Sequence, residues 1–282
     1  MIITENILKR NNVKIFGQGT QPLLFAHGFG CDQNMWRFIT PAFENNYKII
    51  VFDYVGSGKS DMNAYSVERY ADLQGYVQDV LEICAALSLE NIFFVGHSVS
   101  SMVGLLASIK APELFQKMVL ICPSPCYIND SSDDYIGGFE RSDIEDLLDL
   151  MGKNYIGWAS FLAPIVMQNQ DHPELIQELE ASFCSTNAVV ANCFARATFY
   201  SDNRRDLLKV RTPSLILQCT DDAIAPVEVG YYLQRYLYEG TLKLMEATGH
   251  CPQMSHPHET INLIKDYLGL AEKGRKARTE GR

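Results

Sequence analysis

Between residues 91 and 109 the apolar spacing of the chain changes abruptly, and a serine sits on the change. Residues 91–95 form a short apolar, aromatic and β-branched run, which reads as a buried strand. Beyond it Met102, Val103, Leu105, Leu106 and Ile109 recur at helical spacing. The bend between them is Val95-Gly96-His97-Ser98-Val99-Ser100. A helix that backs closely onto the strand it has just left tolerates only small residues there. Gly96 meets that need two residues before the serine, and Ser100 stands where a G-x-S-x-G pattern has its second glycine. A serine on such a turn is held with its oxygen exposed above a helix N-terminus. The competing reading of Ser98 is an ordinary N-capping serine.

The rest of the chain alternates in the same way. Residues 7–9 and 13–16 read as an opening pair of strands, and residues 22–26 as a third that runs into His27-Gly28-Phe29-Gly30. A helix over 34–43, a strand over 47–53, a helix over 67–87 and a strand over 117–122 follow. Such alternation predicts an α/β fold with a mostly parallel, doubly wound sheet, for which eight strands are expected. It breaks after Pro123-Ser124-Pro125. Over 127–201 there are four helical patterns, carried by Ile144 and Leu148, Trp158 and Leu162, Leu175 and Leu179, and Val190 and Phe194. Strands resume over 213–219 and 241–246, with helices over 229–237 and 260–268. The division is therefore a core over 1–126 and 202–270, a helical insertion over 127–201, and a basic tail over 271–282. That tail has no apolar periodicity and reads as a solvated disordered end or an expression remnant.

Charge and cysteine usage narrow the function classes. A formal charge of −10 and a pI near 5.1 argue against nucleic acid or an anionic membrane as the main partner. Residues 1–10 have no apolar core of a secretory signal, and no run approaches the ~18 apolar residues of a membrane span. The eight cysteines are scattered, as in buried thiols of a reducing cytoplasm. The closest pair, Cys122 and Cys126, has no second pair at zinc spacing, so no metal and no cofactor is expected. Gly56-Ser57-Gly58-Lys59-Ser60 imitates a phosphate-binding loop. Asp53 stands where that motif needs its first glycine, and Asp61, Asn63 and Ser66 delay the following helix.

Serine chemistry needs a base, a group that orients the base, and donors for an oxyanion. An open α/β sheet gathers such groups at the carboxyl ends of its strands. Asp221 and Asp222 follow the strand over 213–219, and His250 follows the one over 241–246. The order Ser98, Asp222, His250 is the one an α/β hydrolase uses. His27 reads as a brace for its glycine turn, His172 as a surface residue, and His256 and His258 as residues of a helix start. His250 is favoured as base because it leaves a sheet strand directly. Local sequence does not decide which of Asp221 and Asp222 turns inward, although Asp222 is favoured. The oxyanion donors should be the backbone amides of Val99 and Phe29.

Together His27-Gly28-Phe29-Gly30, Asp53-Tyr54-Val55-Gly56-Ser57-Gly58, the Ser98 turn, Asp222 four before Pro226, and Gly249-His250 resemble the α/β hydrolases. Pro123-Ser124-Pro125-Cys126-Tyr127, Gly137-Gly138-Phe139-Glu140, Asn154-Tyr155-Ile156-Gly157-Trp158, Phe183-Cys184-Ser185-Thr186 and His250-Cys251-Pro252 narrow the resemblance. They are similar to the group of the bacterial stress-signalling hydrolase RsbQ and the plant karrikin and strigolactone receptors. The resemblance spans about residues 5–269. It implies a Ser98-Asp222-His250 triad, an oxyanion hole at Phe29 and Val99, and a V-shaped lid made by the four inserted helices. RsbQ-like turns carry glycine at the place of Ser100, and the plant receptors carry serine.

Phe139, Trp158, Leu162 and Phe199, with Phe29, are the expected walls of a pocket under that lid. None is charged, so a small hydrophobic ester or lactone is the expected substrate. The resemblance to RsbQ implies a signalling esterase with a partner phosphatase that carries a sensor domain. The alternatives are a ligand sensor of the plant-receptor type with slow turnover, and a metabolic carboxylesterase without a partner.

Overall fold

The computed structural model describes residues 2–270; the tail over 271–282 lies outside the described residues. The chain opens with helix α1 (Ile2–Arg10) and strand β1 (Lys14–Phe16). Strands β2 (Gln21–Ala26) and β3 (Tyr47–Val51), helix α2 (Leu73–Ala86) and strand β4 (Ile92–His97) follow. Helix α3 (Val99–Lys110) and strand β5 (Phe115–Ile121) complete the first half. Four helices then run without an intervening strand: α4 (Arg141–Lys153), α5 (Tyr155–Met167), α6 (Pro173–Ser185) and α7 (Ala188–Phe199). The sheet resumes with β6 (Ser214–Asp221), α8 (Val227–Tyr236) and β7 (Gly240–Thr248). Helices α9 (Pro252–Ser255) and α10 (Pro257–Leu268) end the described chain.

The strands form one sheet in the order β1-β3-β2-β4-β5-β6-β7, parallel except for β1. Seven strands are present among the described residues, not eight. The expected strand over 7–9 is instead the end of α1. Glu5 in its first turn and Lys9 and Arg10 in its last suit a helix dipole, and Arg10 pairs with Asp79 and Glu82 of α2. The helix expected over 34–43 is two short 3-10 turns, Gln33–Trp36 and Thr40–Ala42, with Pro41 at the start of the second.

Alternate side chains of each strand go to opposite faces, and both faces are covered. Leu23, Phe25 and Val95 join one apolar cluster, while Leu24, Ala26 and Phe94 join the other. The first cluster runs on into α5 and α6 through Trp158, Leu162 and Phe183. The four-helix segment is thereby packed over the end of the sheet at which β4 delivers Ser98.

In the loop that imitates a phosphate site, Asp53 sits at the centre. Its carboxylate accepts the amides of Gln33 at 2.9 Å and Lys59 at 2.9 Å, together with the Asn12 side chain at 2.7 Å. A buried carboxylate where a phosphate would lie closes that reading.

Candidate active site

Ser98 has φ 54° and ψ −124°, a backbone conformation that residues with a side chain rarely adopt. Its N–H donates to the carbonyl of Ile121 at 2.8 Å, and its own carbonyl accepts from Ser101 at 2.9 Å. A Cβ on Gly96 would lie 2.7 Å from the Ser100 carbonyl oxygen, so the approach of α3 requires glycine there. Ser100 is under no such restriction. Its hydroxyl donates to the carbonyl of His27 and lies 2.9 Å from the Tyr54 hydroxyl. The residue that breaks the G-x-S-x-G pattern thus ties the serine turn to the loop of Gly28 and Phe29.

The Ser98 side chain caps no helix amide. Its Oγ lies 2.7 Å from Nε2 of His250, whose Nδ1 lies 2.7 Å from Oδ2 of Asp222. All three residues are buried. The other carboxylate oxygen, Oδ1, accepts the amides of Ile224 at 2.8 Å and Ala225 at 3.2 Å. Burial alone would push the Asp222 carboxyl up. The adjacent His250 and the two amides outweigh it and hold it below the usual carboxylate range. Asp222 is therefore the ionised partner that fixes the imidazole, while Asp221 is exposed and faces Gln168.

None of the other histidines among the described residues bonds Ser98. His27 accepts from the Tyr54 amide through Nε2 at 3.1 Å and donates through Nδ1 to the Gly28 carbonyl at 2.9 Å, and burial lowers its pKa. His172 is exposed beside Glu174, and His256 contacts the Ser255 hydroxyl. His258 is exposed. His97, next to Ser98, lies 2.7 Å through Nε2 from the carbonyl of His250. Burial, then the neighbouring His250, lowers its pKa to about 3, so it stays neutral and donates that bond.

Val99 is the first residue of α3, so its amide has no acceptor within the helix. Among the described residues the Phe29 amide has no acceptor either. A Cβ on the adjacent Gly28 would lie only 3.4 Å from Ser98 Cβ, which puts that loop against the serine.

Over the Ser98 hydroxyl lies a cavity with free space of about 30 Å³, room for roughly one or two waters. Phe29, Leu162 and Phe199 line it. Trp158 and Phe139 do not: Trp158 stands behind Phe29 and Phe183 with ring centres 6.0 and 5.2 Å away, and Phe139 stands behind Phe199 at 6.5 Å. Both brace the wall instead of forming it, because their helix and loop present them to other rings. Sequence reasoning missed Tyr127, whose hydroxyl is 3.4 Å from Ser98 Oγ, and the pair Leu179 and Phe183. That pair's i,i+4 spacing was visible, but a stripe of this kind reads equally as core.

Two cavity residues are thiols. Burial pushes Cys31 up to about 12 and Cys251 well above the usual range, so neither is a thiolate nucleophile. Cys122, Asp222 and His250 offer donor atoms within 4.8 Å of one another. They do not suit a metal. Both Asp222 oxygens are already taken, and the 2.7 Å between Asp222 and His250 leaves no space for an ion between them.

Residues 23–263 match the alpha/beta hydrolase family. The chain belongs to that family. This α/β hydrolase is 38% identical to the karrikin insensitive 2 receptor CA of Petunia hybrida, over 92% of this chain and 95% of the relative. It is 37% identical to the strigolactone esterase D14 of Arabidopsis thaliana, over 93% and 98%. A solved hydrolase from Oleispira antarctica superposes with a TM-score of 0.92 at 48% identity, covering 94% of this chain and 97% of the other. No described helix of this α/β hydrolase is long and apolar enough to cross a membrane.

Proposed function

We propose that this α/β hydrolase cleaves a small hydrophobic ester or lactone through an acyl-enzyme on Ser98. The hydrogen-bonded chain Ser98 Oγ, His250, Asp222, with both links at 2.7 Å, carries the reading. His250 takes the serine proton as Ser98 attacks the carbonyl, and Asp222 stabilises the imidazolium. The amides of Phe29 and Val99 receive the oxyanion, a contribution of about 3 kcal/mol each where such donors have been deleted. His250 then protonates the leaving oxygen and activates the water that frees the acid.

In this reading residues 127–201 are a lid on a core formed by 1–126 and 202–270. The apolar wall and the small free space support a short acyl group. Free thiols, six of the eight buried, support a reducing compartment such as the cytoplasm. A partner phosphatase with a sensor domain, as in RsbQ-like stress signalling, rests on the resemblance of the sequence alone.

The similarity to plant receptors favours a second reading, in which the ligand-bound lid is the signal and turnover is slow. One set of measurements separates the two. Steady hydrolysis of p-nitrophenyl acetate that falls by roughly 10³-fold or more in Ser98→Ala supports the enzyme. A single burst with no turnover supports the sensor. Hydrolysis that persists in Ser98→Ala overturns the assignment of the nucleophile.

A further inference from the structure

The proposed mechanism uses the His250 imidazole and leaves open what holds its backbone. His250 follows β7 by only two residues, at the rim of the sheet, yet both of its main-chain groups are engaged. Its N–H donates to the carbonyl of Val166 at 2.8 Å, and its carbonyl accepts from His97 Nε2 at 2.7 Å. Val166 lies in the last turn of α5, where carbonyls have no partner within the helix.

The same helix end reaches further. Asn169, two residues beyond α5, donates through Nδ2 to the carbonyl of Met167 at 2.7 Å and to that of Thr248 at 2.9 Å. Gly249 lies directly against this turn: a Cβ there would stand 2.3 Å from the Met167 carbonyl oxygen. On the acid side, Gln168 Nε2 lies 3.3 Å from Asp221 Oδ1, and the Gly249 amide donates to the Asp221 carbonyl at 2.8 Å. The end of α5 therefore grips the residues just before His250 and just before Asp222.

We propose that Asn169 is a positioning residue for His250, and that the end of α5 is the clasp by which the four-helix segment keeps the imidazole within reach of Ser98. The proposal rests on the Ser98-His250-Asp222 reading above. A misplacement of about 1 Å at a reacting group can cost 10²-fold in rate, and the clasp fixes the short tether from β7 to this base. Movement of α5 away from the core would release the His250 amide and slow acylation, so the insertion and the chemistry are linked through the bonds of Val166, Asn169 and Gln168 to His250, Thr248 and Asp221.

Asn169 has φ 48°, so Asn169→Gly removes the amide without straining the backbone. Asn169→Asp keeps shape and backbone tolerance but turns a carboxylate toward two carbonyls. Both are read by kcat and KM for p-nitrophenyl acetate, and by the rate at which a fluorophosphonate labels Ser98. The expected result is a fall of about tenfold in kcat and in labelling, with KM within about twofold because Asn169 does not line the cavity. Ser160→Ala, which cuts the Ser160–Glu180 link between α5 and α6, should keep the native kcat. Native kcat in both Asn169 variants, a loss confined to KM, or an equal loss in Ser160→Ala overturns the clasp. Turnover that survives in Ser98→Ala overturns the site reading instead, so the two failures are distinguishable.

Discussion

The φ of 54° at Ser98 stores strain that a glycine in its place would not carry, roughly 1–3 kcal/mol. Ser98→Gly and Ser98→Ala should both abolish hydrolysis while differing in stability. Glycine loses about 0.4–1 kcal/mol through the unfolded chain but sheds the strain, so its urea midpoint should exceed that of Ser98→Ala by the equivalent of about 1 kcal/mol. Equal midpoints would mean that the turn is not strained. His97 supplies a second test. Its folded pKa of about 3 lies below its ordinary 6.5, so the unfolded chain binds more protons between those values. Stability should therefore fall as pH drops from about 6.5 toward 3, by up to about 1.4 kcal/mol per pH unit, with buried His27 acting in the same sense. Replacing His97 with glutamine, which keeps a donor for the His250 carbonyl, should make that slope shallower in urea titrations at pH 6.5, 5.5 and 4.5. The lowered Asp222 adds stability that is lost only at pH below about 3.8. Residue type and strand-end position in the sequence favour His250 as the base and leave Asp221 and Asp222 both open beside Ser98; the resemblance names Asp222, and the side chain that turns inward is a matter of the loop after β6. Whether Trp158 and Phe139 face the cavity depends on ring packing between segments far apart in the chain, and no local pattern encodes that.

Elements were legible where a strand is covered on both faces or a helix has one apolar stripe. β4, β5 and β6 carry the apolar runs 92–95, 118–121 and 215–217, and each of the four helical patterns lies within one of α4 to α7. The opening segment was not legible, because Ile7 and Leu8 suit either period; the ion pairs of Arg10 with α2 decide it. The start of α2 was also placed too early. Its boundary is set by Asp72, whose side chain accepts the Gln74 amide at 2.7 Å. Helix α7 begins in the same manner, with the Asn187 side chain accepting the amides of Val189 and Val190 at 3.0 and 3.3 Å. Asn187→Ala should cost about 1 kcal/mol. Because α7 carries Phe199 into the cavity wall, hydrogen exchange should rise first in its initial turn, ahead of any change in the sheet. Uniform loss of protection across the sheet would contradict a local cap.

At the scale of the molecule, the sheet's Ser98 end and the helices α5 to α7 meet over one small apolar space, and in the proposed function its size is what a substrate encounters. With about 30 Å³ free, the proposed site has room for no more than a short acyl group unless α5 to α7 move outward. Phe183 is the side chain best placed to set that limit. Its ring lines the cavity, packs 5.2 Å from Trp158 and 6.3 Å from Phe29, and covers Gly30, while the neighbouring Ser182 hydroxyl donates to the Gly30 carbonyl at 2.7 Å. Cutting Phe183 to alanine should cost about 3–5 kcal/mol of stability, so assays belong well below the melting transition. In exchange it opens a slot beside Ser98 that an acyl chain can fill. Each methylene that enters contributes about 0.8 kcal/mol, so two are worth roughly 15-fold. The ratio of kcat/KM for p-nitrophenyl hexanoate over butyrate should rise by about that factor in Phe183→Ala, with acetate little changed. An unchanged ratio would mean that chain length is limited elsewhere, by the opening of the insertion and not by the ring that fills it.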